Sequence, residues 1–164
     1  MEWTKTLLPE NLKETFFLRL FGLTKVPLLF LTAPKVLQLS DERCAVQVPL
    51  NKLTKNHLGS MYFGVLSMGA DCAGGMLAMH HIRKSGKNVS LVFKDFHADF
   101  LKRPEEAVIF TCDDGLAVKE LVKDVIASGE RKHLPLNISA WSVSRPNEEP
   151  VAKFVLTLSL KARG

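Results

Sequence analysis

The stretch from Asn56 to Gly86, NHLGSMYFGVLSMGADCAGGMLAMHHIRKSG, limits the fold more than any other part of the chain. Before Arg83 its only formally charged residue is Asp71. A helix with so little charge over that length has to be buried on most sides. Ser60 can cap its start. Arg83 and Lys84 suit its last turn, and Gly86 suits the left-handed residue beyond. The helix so predicted is about 25 residues and roughly 37 Å long. Gly64, Gly69, Gly74 and Gly75 each cost about 1 kcal/mol relative to alanine inside a helix. Their number points to close approach by a sheet, a partner helix or a ligand.

At 100° per residue, Asp71 shares a face with Gly64, Ser67, Met68, Gly74, Gly75 and Ala78. The opposite face carries Tyr62, Leu66, Gly69, Ala73, Met76 and His80 and is expected to press on a sheet. Asp71 then looks over a floor of small residues. An ionised carboxylate is costly there unless it is hydrogen-bonded or paired. The sequence leaves two readings open, a buried Asp tied to backbone or hydroxyl groups and a functional one.

The chain as a whole is of ordinary globular composition, 46% hydrophobic and 24% charged over 164 residues. That length argues for one domain over 1–164, with residues 1–30 as a helical extension. The net charge of +5 comes without a run of four basic residues or basic–aromatic interleaving, which argues against nucleic acid. Arg19, Lys25 and Pro27 interrupt the apolar stretch from Phe16 to Leu31, which argues against a membrane span. Cys44, Cys72 and Cys112 form no C-x-x-C pair, so reduced thiols and a cytoplasmic location are expected. The Met-Glu-Trp start does not resemble a signal peptide.

Leu12, Phe16, Leu20 and Leu23 recur at helical spacing after Pro9, predicting a packing helix over 9–23. A lid over an apolar ligand is its other reading. KVLQL and CAVQVPL read as a strand pair across the turn SDER. NVSLVFKDFHADFL and EAVIFTCD are further strands. Asp113 or Asp114 can cap a short helix that ends before Gly129. LPLNISAWSVS and VAKFVLTLSLKA are the last two strands. This order predicts an antiparallel α+β domain.

The central segment resembles the hotdog-fold thioesterases, in particular the phenylacetyl-CoA-thioesterase-like group. Members carry an Asn, then His-Gly-Gly six residues later at the start of the long helix, then an acidic residue inside it. Here Asn56 stands six before Tyr62, Phe63 and Gly64, and Asp71 fifteen after Asn56. Tyr62 replaces the His and Phe63 the first Gly, as in a largely uncharacterised branch. FKDFHADFLKRPEEAVIFTC is similar to the strand–proline–strand segment that follows the helix. The resemblance implies a hotdog fold, an antiparallel sheet wrapped around the long helix, here with an extra N-terminal helix. It implies acyl-CoA or acyl-carrier-protein thioesters as substrates and a homodimer or dimer of dimers. It places Asn56, Phe63, Gly64 and Asp71 in the catalytic set. Tyr62, Ser67, Met68, Gly75 and Ser90 would contact substrate, Ser90 by weak match to a family serine.

Thioester hydrolysis needs a base or nucleophile and a cradle for the oxyanion. The free N–H groups of Phe63 and Gly64 at the helix start fit the cradle, and Asp71 fits the base that activates water or the nucleophile that attacks directly. Asp71 lies eight residues beyond Phe63, roughly 12 Å along the axis. One chain therefore does not bring both to one carbonyl, and a two-fold dimer would. A non-catalytic acyl-CoA-binding protein is the alternative, with a dehydratase or isomerase third. No cofactor is expected. His80 and His81 are read as core or surface residues, not metal ligands, because adjacent side chains on a helix diverge.

Overall fold

The computed structural model describes residues 10–164, with side chains from Leu12 onward; Pro9 lies outside the described residues. The elements in chain order are α1 (Glu10–Lys25), α2 (Pro27–Leu31), β1 (Lys35–Leu39), β2 (Cys44–Val48) and α3 (Phe63–Ser85). They continue with β3 (Val89–Phe100), β4 (Val108–Cys112), α4 (Gly115–Ser128), β5 (Lys132–Ser142) and β6 (Ala152–Ala162). The strands form one antiparallel sheet in the order β1-β2-β4-β5-β6-β3. No helix among the described residues is long and apolar enough to cross a membrane.

The sheet packs on α3. Val65, Leu66, Ala70, Ala73, Met76, Leu77 and Ala78 are buried against a core that includes Phe110, Leu136, Ile138, Phe154 and Leu156. A β-carbon on Gly69 would stand 2.2 Å from the Phe110 ring, so only glycine lets helix and strand come this close. The buried arc is wider than half the helix. Gly74 faces Leu136 and Ile138 as well as Phe93, and Ala78 is fully buried. Ala78 therefore leaves the Asp71 face on which ideal phase placed it.

Two further expectations change. The N-cap of α3 is Tyr62, with extended backbone and no side-chain cap. Ser60 instead donates its hydroxyl to Asn56 Oδ1 at 3.3 Å. On α1, the residues Leu12, Phe16, Leu20 and Leu23 face outward and are exposed. The helix carries a second apolar line, Phe17, Leu18 and Phe21, and that one meets the core. Thr15 fixes the orientation by accepting the Val36 N–H at 2.9 Å, and the Arg83 guanidinium lies 3.7 Å over the Phe17 ring. Gly86 and Gly129 end α3 and α4 in the left-handed conformation, as the sequence predicts.

Candidate active site

Asp71 sits at the junction of two apolar hollows. The first is a groove of about 460 Å3 along α3, walled by Phe63, Ser67 and Met68 on the helix and by Phe93, Phe96, Ala98 and Phe100 on β3, with Leu156 behind them. The second, about 300 Å3, lies beneath the N-terminal helices. Leu18, Phe21, Val26 and Leu29 roof it, and Gly75, Met76, Met79 and Leu91 line it. Only Asp71 and Phe93 belong to both.

A β-bulge makes the aromatic wall. Residues alternate sides along a strand, so Phe93 and Phe96 ought to face opposite ways. The register with β6 slips between Phe93 and Asp95. The extra residue, Lys94, reverses the parity. Phe93 pairs with Leu158, Phe96 with Leu156, Ala98 with Phe154 and Phe100 with Ala152. All four side chains then share the helix-facing side. Sequence reasoning missed this wall, while the lid it held open as the other reading of α1 matches the roof that α1 and α2 put over the second hollow. The three-residue gap in FKDF, which breaks the alternation, is the signal that could have found the wall.

Among the described residues Asp71 accepts no hydrogen bond and has no ion-pair partner. Burial without compensation pushes its carboxyl pKa up from the ordinary 3.8. The neighbouring Cys72 thiol is also pushed up, by burial first and then by the Asp71 charge. It is a poor nucleophile in this setting.

The other expected residues divide. Ser67 and Met68 line the groove and Gly75 the second hollow, where a β-carbon on Gly75 would stand 3.8 Å from Asp71 Oδ1. Phe63 opens α3 with its ring 6.0 Å from that of Phe100. Gly64 follows it, covered by the Tyr62 ring. Their N–H groups are the first of the helix and have no carbonyl one turn back. Tyr62 is half exposed and lines neither hollow. Asn56 organises its own loop, its Oδ1 accepting the N–H groups of Leu58 at 2.9 Å and Ser60 at 3.2 Å. Ser90 lies outside both hollows and donates its hydroxyl to the Lys161 carbonyl at 3.2 Å, because it precedes the bulge on an edge strand held to β6.

His80 and His81 depart from the divergence expected of them. His80 Nε2 donates to Asp41 Oδ1 at 2.9 Å, and His81 Nε2 donates to the Asp41 carbonyl at 2.9 Å. The three residues could offer a metal donors within 4.8 Å of one another. Lys84 Nζ already lies 2.6 Å from Asp41 Oδ1, and Lys119 Nζ 3.6 Å from Oδ2. The carboxylate is thus neutralised by side-chain cations, and its pKa is held far below the usual carboxylate range by the Lys84 and His80 hydrogen bonds.

An antiparallel sheet wrapped on one long helix is the hotdog fold. The family described as a domain of unknown function, DUF4442, matches residues 14–140, and the chain belongs to it. No curated protein matches the sequence. Among solved structures, the chain is similar to the protein OLEI01261 of unknown function from Chlorobaculum tepidum TLS, at 13% identity and TM-score 0.79 over 96% of this chain and 99% of that one. It is similar to the Pseudomonas aeruginosa protein PA5026, called a probable thioesterase, at 18% identity and TM-score 0.73 over 91% and 96%. The thioesterase HI1161 from Haemophilus influenzae superposes at 16% identity and TM-score 0.65 over 99% and 96%. At these identities the likeness is one of fold.

Proposed function

We propose that the chain hydrolyses acyl thioesters carried on coenzyme A or an acyl-carrier protein, with Asp71 as the base. The unpartnered carboxylate at the meeting point of two apolar hollows carries this reading. A carboxyl raised by desolvation is a stronger base than one in water. Asp71 takes a proton from water as the water oxygen bonds to the thioester carbonyl carbon. The oxyanion that forms collapses, the carbon–sulfur bond breaks, and the leaving thiolate takes the proton held by Asp71, which restores the carboxylate. Of the three similar structures named above, two carry thioesterase in their names, and the spacing of Asn56, Gly64 and Asp71 resembles the phenylacetyl-CoA-thioesterase-like group.

The oxyanion cradle in this proposal is the start of α3 in a second copy of the chain. Phe63 and Asp71 lie on one groove but roughly 12 Å apart along the helix, too far to address one carbonyl. A two-fold dimer with antiparallel α3 helices brings each helix start to the partner's carboxylate. Cys44, Cys72 and Cys112, with no C-x-x-C pair among them, fit a reducing, cytoplasmic setting.

A second reading, binding without turnover, is favoured by Tyr62 and Asn56. The first stands at the family's His position yet lines neither hollow, and the second spends its oxygen on its own loop. A panel of acyl-CoA and acyl-carrier-protein thioesters, read by free-thiol release, separates the two. Turnover that is lost in Asp71→Asn supports hydrolysis. Binding with no thiol release from any member supports the second reading.

A further inference from the structure

We infer that the hollow beneath α1 and α2 is the acyl-tail site, and that these helices limit the tail to an apolar chain of medium length. The inference rests on the acyl-thioester reading and adds to it the direction and class of the acyl group.

Three observations order the site along β3. Leu91, Val92 and Phe93 border the hollow roofed by α1 and α2. Phe93, Phe96, Ala98 and Phe100 then wall the aromatic groove. Beyond Phe100 the chain enters a charged cleft with Lys102, Arg103, Glu105, Arg145 and Glu149. The strand thus runs from a roofed apolar hollow, past Asp71, to a charged mouth. A thioester has one hydrocarbon end and one polar carrier end. With its carbonyl at Asp71, the polar end belongs toward the charged mouth and the hydrocarbon under the roof. Burying a chain of ionisable groups under α1 and α2 would leave them unpaired.

The hollow also sets the chain class. Its volume of about 300 Å3 holds on the order of ten carbons at the packing density of protein interiors. Among the described residues that line it, Asp71 is the one ionisable side chain apart from the Cys72 thiol, so a carboxylated tail finds no cationic partner among them. Leu18 and Leu29 are nearly fully buried and fix the roof on the core. Met76 and Met79 supply an adaptable floor.

The test uses S-alkyl-CoA thioethers from ethyl to hexadecyl, which lack the carbonyl and cannot turn over, titrated calorimetrically into the full-length protein. Met79→Trp fills the hollow, Leu29→Ala enlarges it, and Ala98→Trp fills the aromatic groove instead. The inference expects the tightest-binding chain to shorten in Met79→Trp and lengthen in Leu29→Ala, each carbon denied costing about fourfold in Kd. Ala98→Trp should leave the preferred length unchanged. An optimum that moves only in Ala98→Trp, or in no variant, overturns the inference, as does the absence of any chain-length dependence. The thioester panel keeps the two proposals apart. Turnover with unaltered chain preference in Met79→Trp and Leu29→Ala defeats this inference alone. Length-dependent thioether binding without turnover of any thioester defeats only the hydrolase reading.

Discussion

The Asp41 carboxylate accepts a hydrogen bond from His80 Nε2 at 2.9 Å, and this contact pins the β1–β2 turn to the last turns of α3. Lys84 and Lys119 converge on the same carboxylate, so one side chain ties a turn, α3 and α4 together. The same turn packs so tightly on α4 that a β-carbon on Gly115 would stand 2.1 Å from the Asp41 carbonyl oxygen.

Acid should loosen this junction. The Asp41 pKa is depressed in the folded state, so its contribution is present above the unfolded value of 3.8 and is lost as pH falls below it. His81 is depressed as well, chiefly by burial. Its unfolded form binds a proton first, so folding weakens as pH drops through 6.5. Urea unfolding from pH 7 to pH 3 should show a decline beginning near pH 6.5 and steepening below pH 4. Asp41→Asn should flatten the steeper part. An unchanged profile in that variant would remove Asp41 from the account.

Asp71 has the opposite sign. Its pKa is raised, so the ionised group costs stability at neutral pH, and that cost disappears once the carboxyl is protonated in both states, below 3.8. Asp71→Asn should therefore raise Tm at pH 7, lose this advantage near pH 3, and abolish thiol release. A folded variant that keeps its activity contradicts the catalytic role. A destabilised one would mean that the carboxylate holds the fold together.

Mixing two inactive variants tests the shared site. Phe63→Pro deletes one N–H of the proposed cradle, and proline is tolerated at the first helical position. Phe63→Pro and Asp71→Asn should each be inactive alone. Remixed after mild denaturation they should recover up to about a quarter of the parent activity, because half the dimers are mixed and one of their two sites is intact. No recovery from dimers shown to exchange would put the cradle and the base in one chain. Sedimentation of the parent as a monomer at micromolar concentration would do the same.

Tyr62 should be dispensable. It is half exposed and outside both hollows. Tyr62→Phe is expected to change kcat/KM by less than about tenfold, or roughly 1.4 kcal/mol. A loss of about a hundredfold in a folded protein would assign its hydroxyl the polarising role of the family's His.

Two glycines of α3 should respond in opposite ways to alanine. Gly69→Ala drives a methyl group into the fully buried Phe110 ring and should cost about 1–3 kcal/mol by overpacking. At Gly75 the new atom meets only Asp71 and Phe93, at ordinary contact distances. Gly75→Ala should then gain up to about 1 kcal/mol of helix propensity. Chemical denaturation of the two variants side by side measures the difference.

Much of this architecture was legible in the chain because its signals are local. The nearly charge-free run announced α3, Gly86 and Gly129 marked helix ends, and a single carboxylate inside an apolar segment drew attention to the candidate site. What escaped depends on tertiary choice. Residues α1 needs to pack on the core and residues it shows to solvent are both apolar, so periodicity identified the helix but chose the wrong side. Ser60 had the chemistry of a helix cap, but the Asn56 turn claimed its hydroxyl. Asp41 is 39 residues from His80, and no local pattern links a turn carboxylate to a helix end at that separation. Ser90 matched by position in the chain, but its hydroxyl faces the backbone of β6.

The bulge at Lys94 has a consequence for how such a groove can diversify. The outer half of β3 encodes two walls in one string of residues. Phe96, Ala98 and Phe100 form one, and Asp95, His97 and Asp99 form the other. Which wall greets a ligand is decided by where a single extra residue is accommodated, not by which side chains are present. Sliding that residue beyond Phe100 would turn the acidic wall inward without a substitution anywhere. Relatives could thus exchange a greasy groove for an ionic one through an insertion paired with a deletion a few codons away, leaving the helix and its carboxylate untouched.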